Sequence, residues 1–382
     1  MLHRVVLLGF GIRVAVAAWN AFLGPSFGAE GDASGLHLLA ADYANGIAPP
    51  IFRLSLIYIY ALGLIYRWTI SSLFLGGLLS CLVWLASAYV LIAIMRLVRV
   101  GPGMQRTALL IYGVLPSSVL WTGVTMREPY QLLCVNLAVY AALRILLDKS
   151  HVHWLLLCGS IAFGTVLHAT LLGWGLFLGA ATAMFAFREQ RRRITPARFL
   201  LAAVVAVAGA WLGYRLFTNL FSYPIDQGLA FAVQSYQRGG LSIGVRTDYR
   251  STVEIADTLS LLTFVPVSLW QDLFEPMAWR VTSFADLIPV LENLLRFGLM
   301  AQAVATLARL SRRARQPALL VFLAFLVLET AWSLGTFNWG TAARHHIPGV
   351  GLLLAAAFAA SSQRLRGTGA HDPPGQPLHA AA

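Results

Sequence analysis

Between Arg67 and Arg96 the chain carries no Asp, Glu, Lys or Arg, and residues 70–95 form an apolar run long enough to cross a bilayer as one helix. Other runs approach that length, so the chain is read as membrane-embedded throughout. Composition agrees. Apolar residues fill 58% of the 382 positions and charged residues 12%, against about 25% charged in soluble domains. Mean hydropathy is +0.70. These features predict an all-α, polytopic transmembrane helical bundle.

The net charge of +12 does not indicate a nucleic-acid partner. The arginines fall in small clusters between apolar runs: Arg96, Arg99 and Arg106; Arg188 with Arg191–Arg193; Arg309 with Arg312, Arg313 and Arg315; Arg364 and Arg366. That is the pattern of cytoplasmic loops, not a basic face interleaved with aromatics. Cys81, Cys134 and Cys158 lie inside apolar runs with no C-x-x-C, which argues against a disulfide framework or a thiolate zinc site. Arg13 interrupts the first run too early for a signal-peptide core, so residues 5–22 read as an uncleaved anchor.

With the amino terminus in the cytoplasm, about ten spans are expected, near 5–22, 70–95, 107–126, 129–147, 153–168, 171–187, 197–218, 285–308, 317–336 and 347–362. Residues 154–187 are uncharged, but 34 residues exceed one crossing of about 30 Å, so a break is placed near His168. Residues 51–68, rich in tyrosine and closed by Trp68, read as a helix along the outer surface, with an eleventh span as the alternative. One domain covers 1–362, with outer segments 23–69 and 219–284, and 363–382 forms a disordered cytoplasmic tail. This topology puts eleven of the sixteen acids outside or at the outer edge. Polar side chains suited to chemistry therefore concentrate on the outer face.

Three groups stand out there. In "FGAEGDASGLHLLAADYANG", Glu30 and Asp32 precede a short amphipathic pattern, Leu36, Leu39, Ala40 and Tyr43. Asp32 can simply cap that helix, or the two acids can approach a ligand or a metal. In "TGVTMREPYQLL", Arg127 and Glu128 sit in a tight turn between spans, as a local ion pair or as a binding group. In "NWGTAARHHIPGVG", Arg344, His345 and His346 converge before the last span, where a phosphate headgroup suits a bidentate guanidinium. The segment from "SYQRGG" to "FEPMAWR" is proline-broken and aromatic, like a juxtamembrane hairpin, and Arg280 at its end is a second candidate phosphate contact. Within the spans, Arg13, Glu292 and Glu329 require partners. An Arg13–carboxylate pair is expected, with a proton relay as the alternative. His168 reads as a satisfied polar core residue.

The order of these features resembles the GT-C superfamily of membrane glycosyltransferases, which includes protein O-mannosyltransferases and the aminoarabinose transferase of lipid A. "EGDASGLHLLA" looks like the acidic motif that follows the first span in that superfamily. "YIYALGLIYRWTISSLFLGGLLS" looks like its juxtamembrane helix leading into the second span. "LPSSVLWTGVTMREPY" and "GTAARHHIPGVGLLL" are similar to span ends of bacterial polysaccharide-locus members.

The resemblance implies an enzyme of the bacterial inner membrane. It would move a sugar, with inversion, from a polyprenyl-phosphate donor to a glycan, lipid or protein acceptor on the periplasmic or extracellular face. Asp32 would be the base. Arg344, helped by Arg127 and His345 or His346, would hold the departing phosphate, while Glu30 would orient Asp32 or bind a divalent ion such as Mg2+ or Mn2+. Two rivals remain open. An O-antigen polymerase or ligase would depend on Arg246 or Arg250, and a transporter or flippase of lipid-linked sugars would need inverted repeats and broken helices.

Overall fold

The computed structural model describes residues 1–24, 30–47, 56–190, 230–231, 233–235, 247–249, 255 and 257–364. Within them the chain is all-helical, and five helices are long and apolar enough to cross a membrane. Four early helices set the frame: α1 (Leu2–Phe22), α2 (Glu30–Ala44), α3 (Ile57–Trp68) and α4 (Leu73–Leu97). A broken pair follows, α5 (Pro102–Val114) and α6 (Pro116–Thr122). Next come α7 (Glu128–Asp148), α8 (Val152–Leu167) and α9 (Thr170–Gln190). The C-terminal part holds α10 (Thr258–Phe274), α11 (Leu287–Arg309), α12 (Arg312–Ser333), α13 (Trp339–His345), α14 (Ile347–Ala357) and the single turn α15 (Ser361–Arg364).

Contacts fix two ends of the bundle. The end of α1 meets the start of α4 through Phe22 and Phe74, 5.5 Å between ring centroids. The start of α7 lies at that end too, since Thr125 just before it donates its hydroxyl to the Leu73 carbonyl at 3.1 Å, and Arg127 reaches the Leu167 carbonyl where α8 stops. At the opposite end Ala360 donates to the Val98 carbonyl at 2.9 Å, and Arg99, Asp148 and Arg313 line one crevice. Helices α4 and α7 therefore run in the same direction, and directions alternate along the chain only with the α5–α6 pair counted as one crossing. Arg99 and Arg313 lie at one end, and Asp32, Glu128, Arg127 and Arg344 at the other.

Several sequence expectations meet their outcome here. The uncharged stretch 154–187 parts at His168 and Ala169, between α8 and α9. Helix α3 has twelve residues, about 18 Å at 1.5 Å per residue, which falls short of a bilayer. The expected span 197–218 lies outside the described residues, as do Arg246, Arg250 and most of the tail.

The expected span 107–126 is instead two helices. Pro116 has no N–H, and its ring excludes the helical path of the preceding turn. The last expected span is an eleven-residue helix, α14, apolar on every side and almost wholly buried. A helix hydrophobic all round belongs inside a bundle. The proline-broken reading of the segment before Arg280 holds at Pro276, just past the end of α10, and is corrected at Pro266, through which α10 runs after a capping box between Asp257 and Ser260.

Helix α2 lies against α3. Ala33 and Ala40 are its buried positions, Leu36 packs against the core and Tyr43 meets Tyr60, while Leu38 and Leu39 face outward, so of the expected Leu36, Leu39, Ala40 and Tyr43 face only Leu39 departs. Small residues allow the close approach to α3. A Cβ at Gly63 would stand 2.7 Å from Tyr43 Cδ1 and 2.8 Å from the Ala40 carbonyl oxygen. Gly63→Val is accordingly expected to destabilise this helix pair by about 1–3 kcal/mol through overpacking. Limited proteolysis between α2 and α3 checks this, with faster cleavage in the variant. Tyr66 strengthens the same corner: its hydroxyl donates to the Ser72 carbonyl at 3.0 Å and meets His37 Nδ1 at 3.0 Å.

Candidate functional site

Asp32 sits in the first turn of α2, where the helix dipole favours a carboxylate. Its side chain remains 58% exposed and forms an ion pair with Nη1 of Arg344. The same guanidinium places Nε 2.5 Å from Oε1 of Glu128, which is only 3% exposed. Residues 32, 128 and 344 are thus joined by one fork, with the buried acid holding the arginine from behind and the exposed acid in front. Trp121 lies under the guanidinium at 5.7 Å. Burial opposes the charge on Arg344, yet Glu128 and then Asp32 outweigh it and hold the guanidinium above its ordinary range. Arg344 stays cationic.

The elements explain the convergence. Pro129 opens α7 and leaves Glu128 at its first turn, a favoured position for negative charge. Asn338 caps α13 by accepting from the Thr341 N–H at 2.7 Å, which fixes where the seven-residue helix begins and so where Arg344 ends up. Glu30 begins α2, and its side chain lies outside the described residues.

The two adjacent histidines separate. His345 stacks on Trp332 at 4.4 Å and lies 6.1 Å from the ring of His168. Thr336 donates its hydroxyl proton to the Trp332 carbonyl and accepts from His345 Nδ1 at 2.8 Å, so the neutral ring carries its proton on Nδ1 and leaves Nε2 as a base. Burial, reinforced by His168, Arg344, His346 and Arg127, pushes the His345 pKa well below its ordinary value. His345 is neutral at pH 7. His346 turns the other way, to Glu329 at 2.5 Å.

Arg127 is half-buried beside this group, with Nη1 donating to the Leu167 carbonyl at 3.4 Å. Arg280 is placed differently. It is buried, pairs with Glu275 at 3.1 Å, donates to the Asp248 carbonyl at 2.8 Å and lies over Trp339 at 4.9 Å. Its guanidinium ties its own segment to the start of α13 rather than joining the fork of Arg344 with Asp32 and Glu128.

His168, read from the sequence as a satisfied polar core residue, does accept from the Thr170 N–H at 3.3 Å, but it also reaches the group through Trp332, at 4.3 Å between centroids, which sequence reasoning missed. A histidine breaking an otherwise uncharged double span was the available signal. It also missed Asp272, taken only as one more outer acid. The expected Arg13–carboxylate pair does not form. Arg13 is bound by carbonyls, hydroxyls and the Trp84 ring, while Glu292 accepts from Ser117 and Glu329 meets His346.

The arrangement offers an exposed carboxylate, a fixed guanidinium, a second arginine and a neutral imidazole at one end of a helical bundle. No family model, curated protein or solved structure matches the chain.

Proposed function

We propose that the chain is a multi-pass membrane glycosyltransferase of the GT-C kind. It would use a polyprenyl-phosphate sugar and act on the outer face of a bacterial inner membrane. The observation that carries this reading is the fork of Arg344 between exposed Asp32 and buried Glu128. One residue set supplies both a base and an anion-holding group, which transfer from a phosphate ester requires. The ten-span topology belongs to the same proposal, and helix directions that alternate with the α5–α6 pair counted as one crossing, with Arg99 and Arg313 at the end away from Asp32, support it.

In the proposed reaction the acceptor hydroxyl oxygen attacks the anomeric carbon as the bond to the phosphate oxygen breaks. Asp32 takes the hydroxyl proton, and the bond pair leaves with the lipid phosphate. The sugar passes through an oxocarbenium-like state with inversion. Arg344 and Arg127 face the developing negative charge, and such preorganised donors act on the transition state more than on the substrate. Arriving phosphate competes with Asp32 for Arg344, so donor binding frees the carboxylate that the next step uses. Glu128 keeps the guanidinium in place during that exchange. An apolar groove of about 290 Å3 between α7 and α8, lined by Tyr130, Leu133, Cys134, Leu155 and Phe163, begins two residues from Glu128 and suits a prenyl chain.

Purified protein incubated with a panel of polyprenyl-phosphate sugars and hydroxyl acceptors is expected to release free lipid phosphate. Asp32→Asn should slow release by at least about 10²-fold, the lower end of what a positioned base contributes. Undiminished turnover in that variant would remove Asp32 from the reaction. Translocation of the donor in liposomes without release of lipid phosphate would replace transfer by transport.

A further inference from the structure

A second cluster lies beside the Arg344 group and joins three elements distant in sequence. Asp272 comes from α10, Glu329 from α12, and His346 from the junction of α13 with α14. All three are buried, with Asp272 and Glu329 at 0% exposure. One ligand atom of each lies within 4.8 Å of the others.

The hydrogen bonding of this cluster is incomplete in an informative way. His346 Nε2 lies 2.8 Å from the main-chain carbonyl of Asp272, and a carbonyl can only accept, so Nε2 carries a proton. In the neutral ring Nδ1 then turns its lone pair toward Glu329 Oε2 at 2.5 Å and Asp272 Oδ2 at 4.0 Å. Lone pair against carboxylate is repulsive unless a proton or a metal ion lies between them. Both Asp272 carboxylate oxygens and Glu329 Oε1 are buried without a hydrogen-bond partner among the described residues. Such orphaned oxygens are costly.

Space is kept for them. A Cβ at Gly349 would come 2.2 Å from Glu329 Oε1. Arg296 adds one positive charge facing the cluster, but its Nη1 donates to the Leu273 carbonyl and to Asn293 Oδ1. Two carboxylates against one guanidinium leave negative charge to be balanced.

We propose that Asp272, Glu329 and His346 form a binding site for a divalent first-row metal ion of the Mn2+ or Zn2+ type. Carboxylate oxygen with imidazole nitrogen suits those ions, whereas Mg2+ keeps several waters that a buried site does not favour. Coordination through Nδ1 with Nε2–H on a carbonyl is also the outer-sphere arrangement that orients a metal-bound histidine. The ion ties α10 to α12 and to the start of α14, and so holds α13, whose last turn carries Arg344 and His345. This site is separate from Glu30 and Asp32, where the sequence pointed for a metal, and it does not depend on glycosyl transfer.

The test uses the full chain in detergent, purified without a chelator or a polyhistidine tag. Elemental analysis is expected to find about one Mn or Zn per chain. Removal by EDTA should lower the thermal midpoint by several degrees, and adding Mn2+ or Zn2+ alone should restore it. Asp272→Asn and Glu329→Gln should lose the metal, and Asp32→Asn should keep it. Stripped wild-type protein with native tryptophan fluorescence that binds neither ion would overturn the site, leaving a shared proton to hold the cluster. Full metal content in both Asp272→Asn and Glu329→Gln would overturn it as well.

Discussion

Arg344→Gln is expected to destabilise the folded protein by about 3–5 kcal/mol, because it strands the Glu128 carboxylate without a counter-charge. Glu128 is 3% exposed, and its Oε2 has no hydrogen-bond partner among the described residues, so Nε of Arg344 is its main compensation. Asp32 lies on the other side of the balance. At 58% exposure its pairing with Arg344 is screened by water, and Asp32→Asn should change stability little. Thermal unfolding followed by tryptophan fluorescence separates the two variants. An unchanged midpoint for Arg344→Gln would mean that Glu128 is protonated and that the fork contributes no stability.

The paired variant Arg344→Gln/Glu128→Gln carries the argument further. With both charges removed, the stranded carboxylate is gone and most of the lost stability should return. Transfer should not return, since no guanidinium then faces the leaving phosphate. Arg344→Lys should also fail as a replacement. A single ammonium cannot stand against both Glu128 and Asp32 as Nε and Nη1 of one guanidinium do. Recovery of stability with recovery of lipid-phosphate release in the paired variant would show that Arg344 is structural only.

The meeting of residues 32, 128 and 344 was legible because each motif sits at a span end, and span ends on one side of a membrane share a plane. The break at His168 was legible for a similar reason, as a helix of 34 residues is too long for the bilayer. Asp272 was not legible. The proline at 266 suggested a broken hairpin, whereas α10 continues through it and buries the acid against His346, 74 residues away. No local pattern encodes such a contact. The fate of Arg13 was hidden by the assumption that an intramembrane cation needs an anion. A helix break can satisfy it with carbonyls instead, and Pro116 was the sign of one.

That substitution of carbonyls for a carboxylate makes Arg13 the second residue whose loss should be severe. At Pro116 the missing N–H leaves the Tyr112 carbonyl without its helical donor. One residue on, the Ser117 N–H that would serve the Gly113 carbonyl goes instead to Glu292 Oε1 at 2.8 Å, and the Ser117 hydroxyl donates to Oε2 at 2.5 Å. Arg13 fills both gaps. Nη1 donates to the Gly113 carbonyl at 2.7 Å and Nη2 to the Tyr112 carbonyl at 3.4 Å. Its remaining donors reach Thr122 and Ser118 hydroxyls at 2.7 and 3.0 Å, with the guanidinium 3.6 Å over Trp84. Arg13→Met should therefore leave two buried carbonyls unpaired, at about 1–3 kcal/mol each, offset in part by no longer burying a charge. The net expectation is a loss of several kcal/mol, read as a lower thermal midpoint and reduced folded yield. Arg13→Lys keeps the charge yet supplies one point of donation where five acceptors converge, the Gly9 carbonyl at 3.0 Å among them, so it should rescue only a fraction. Full stability in Arg13→Met would mean that the α5–α6 break satisfies its own carbonyls and that the arginine is dispensable to it.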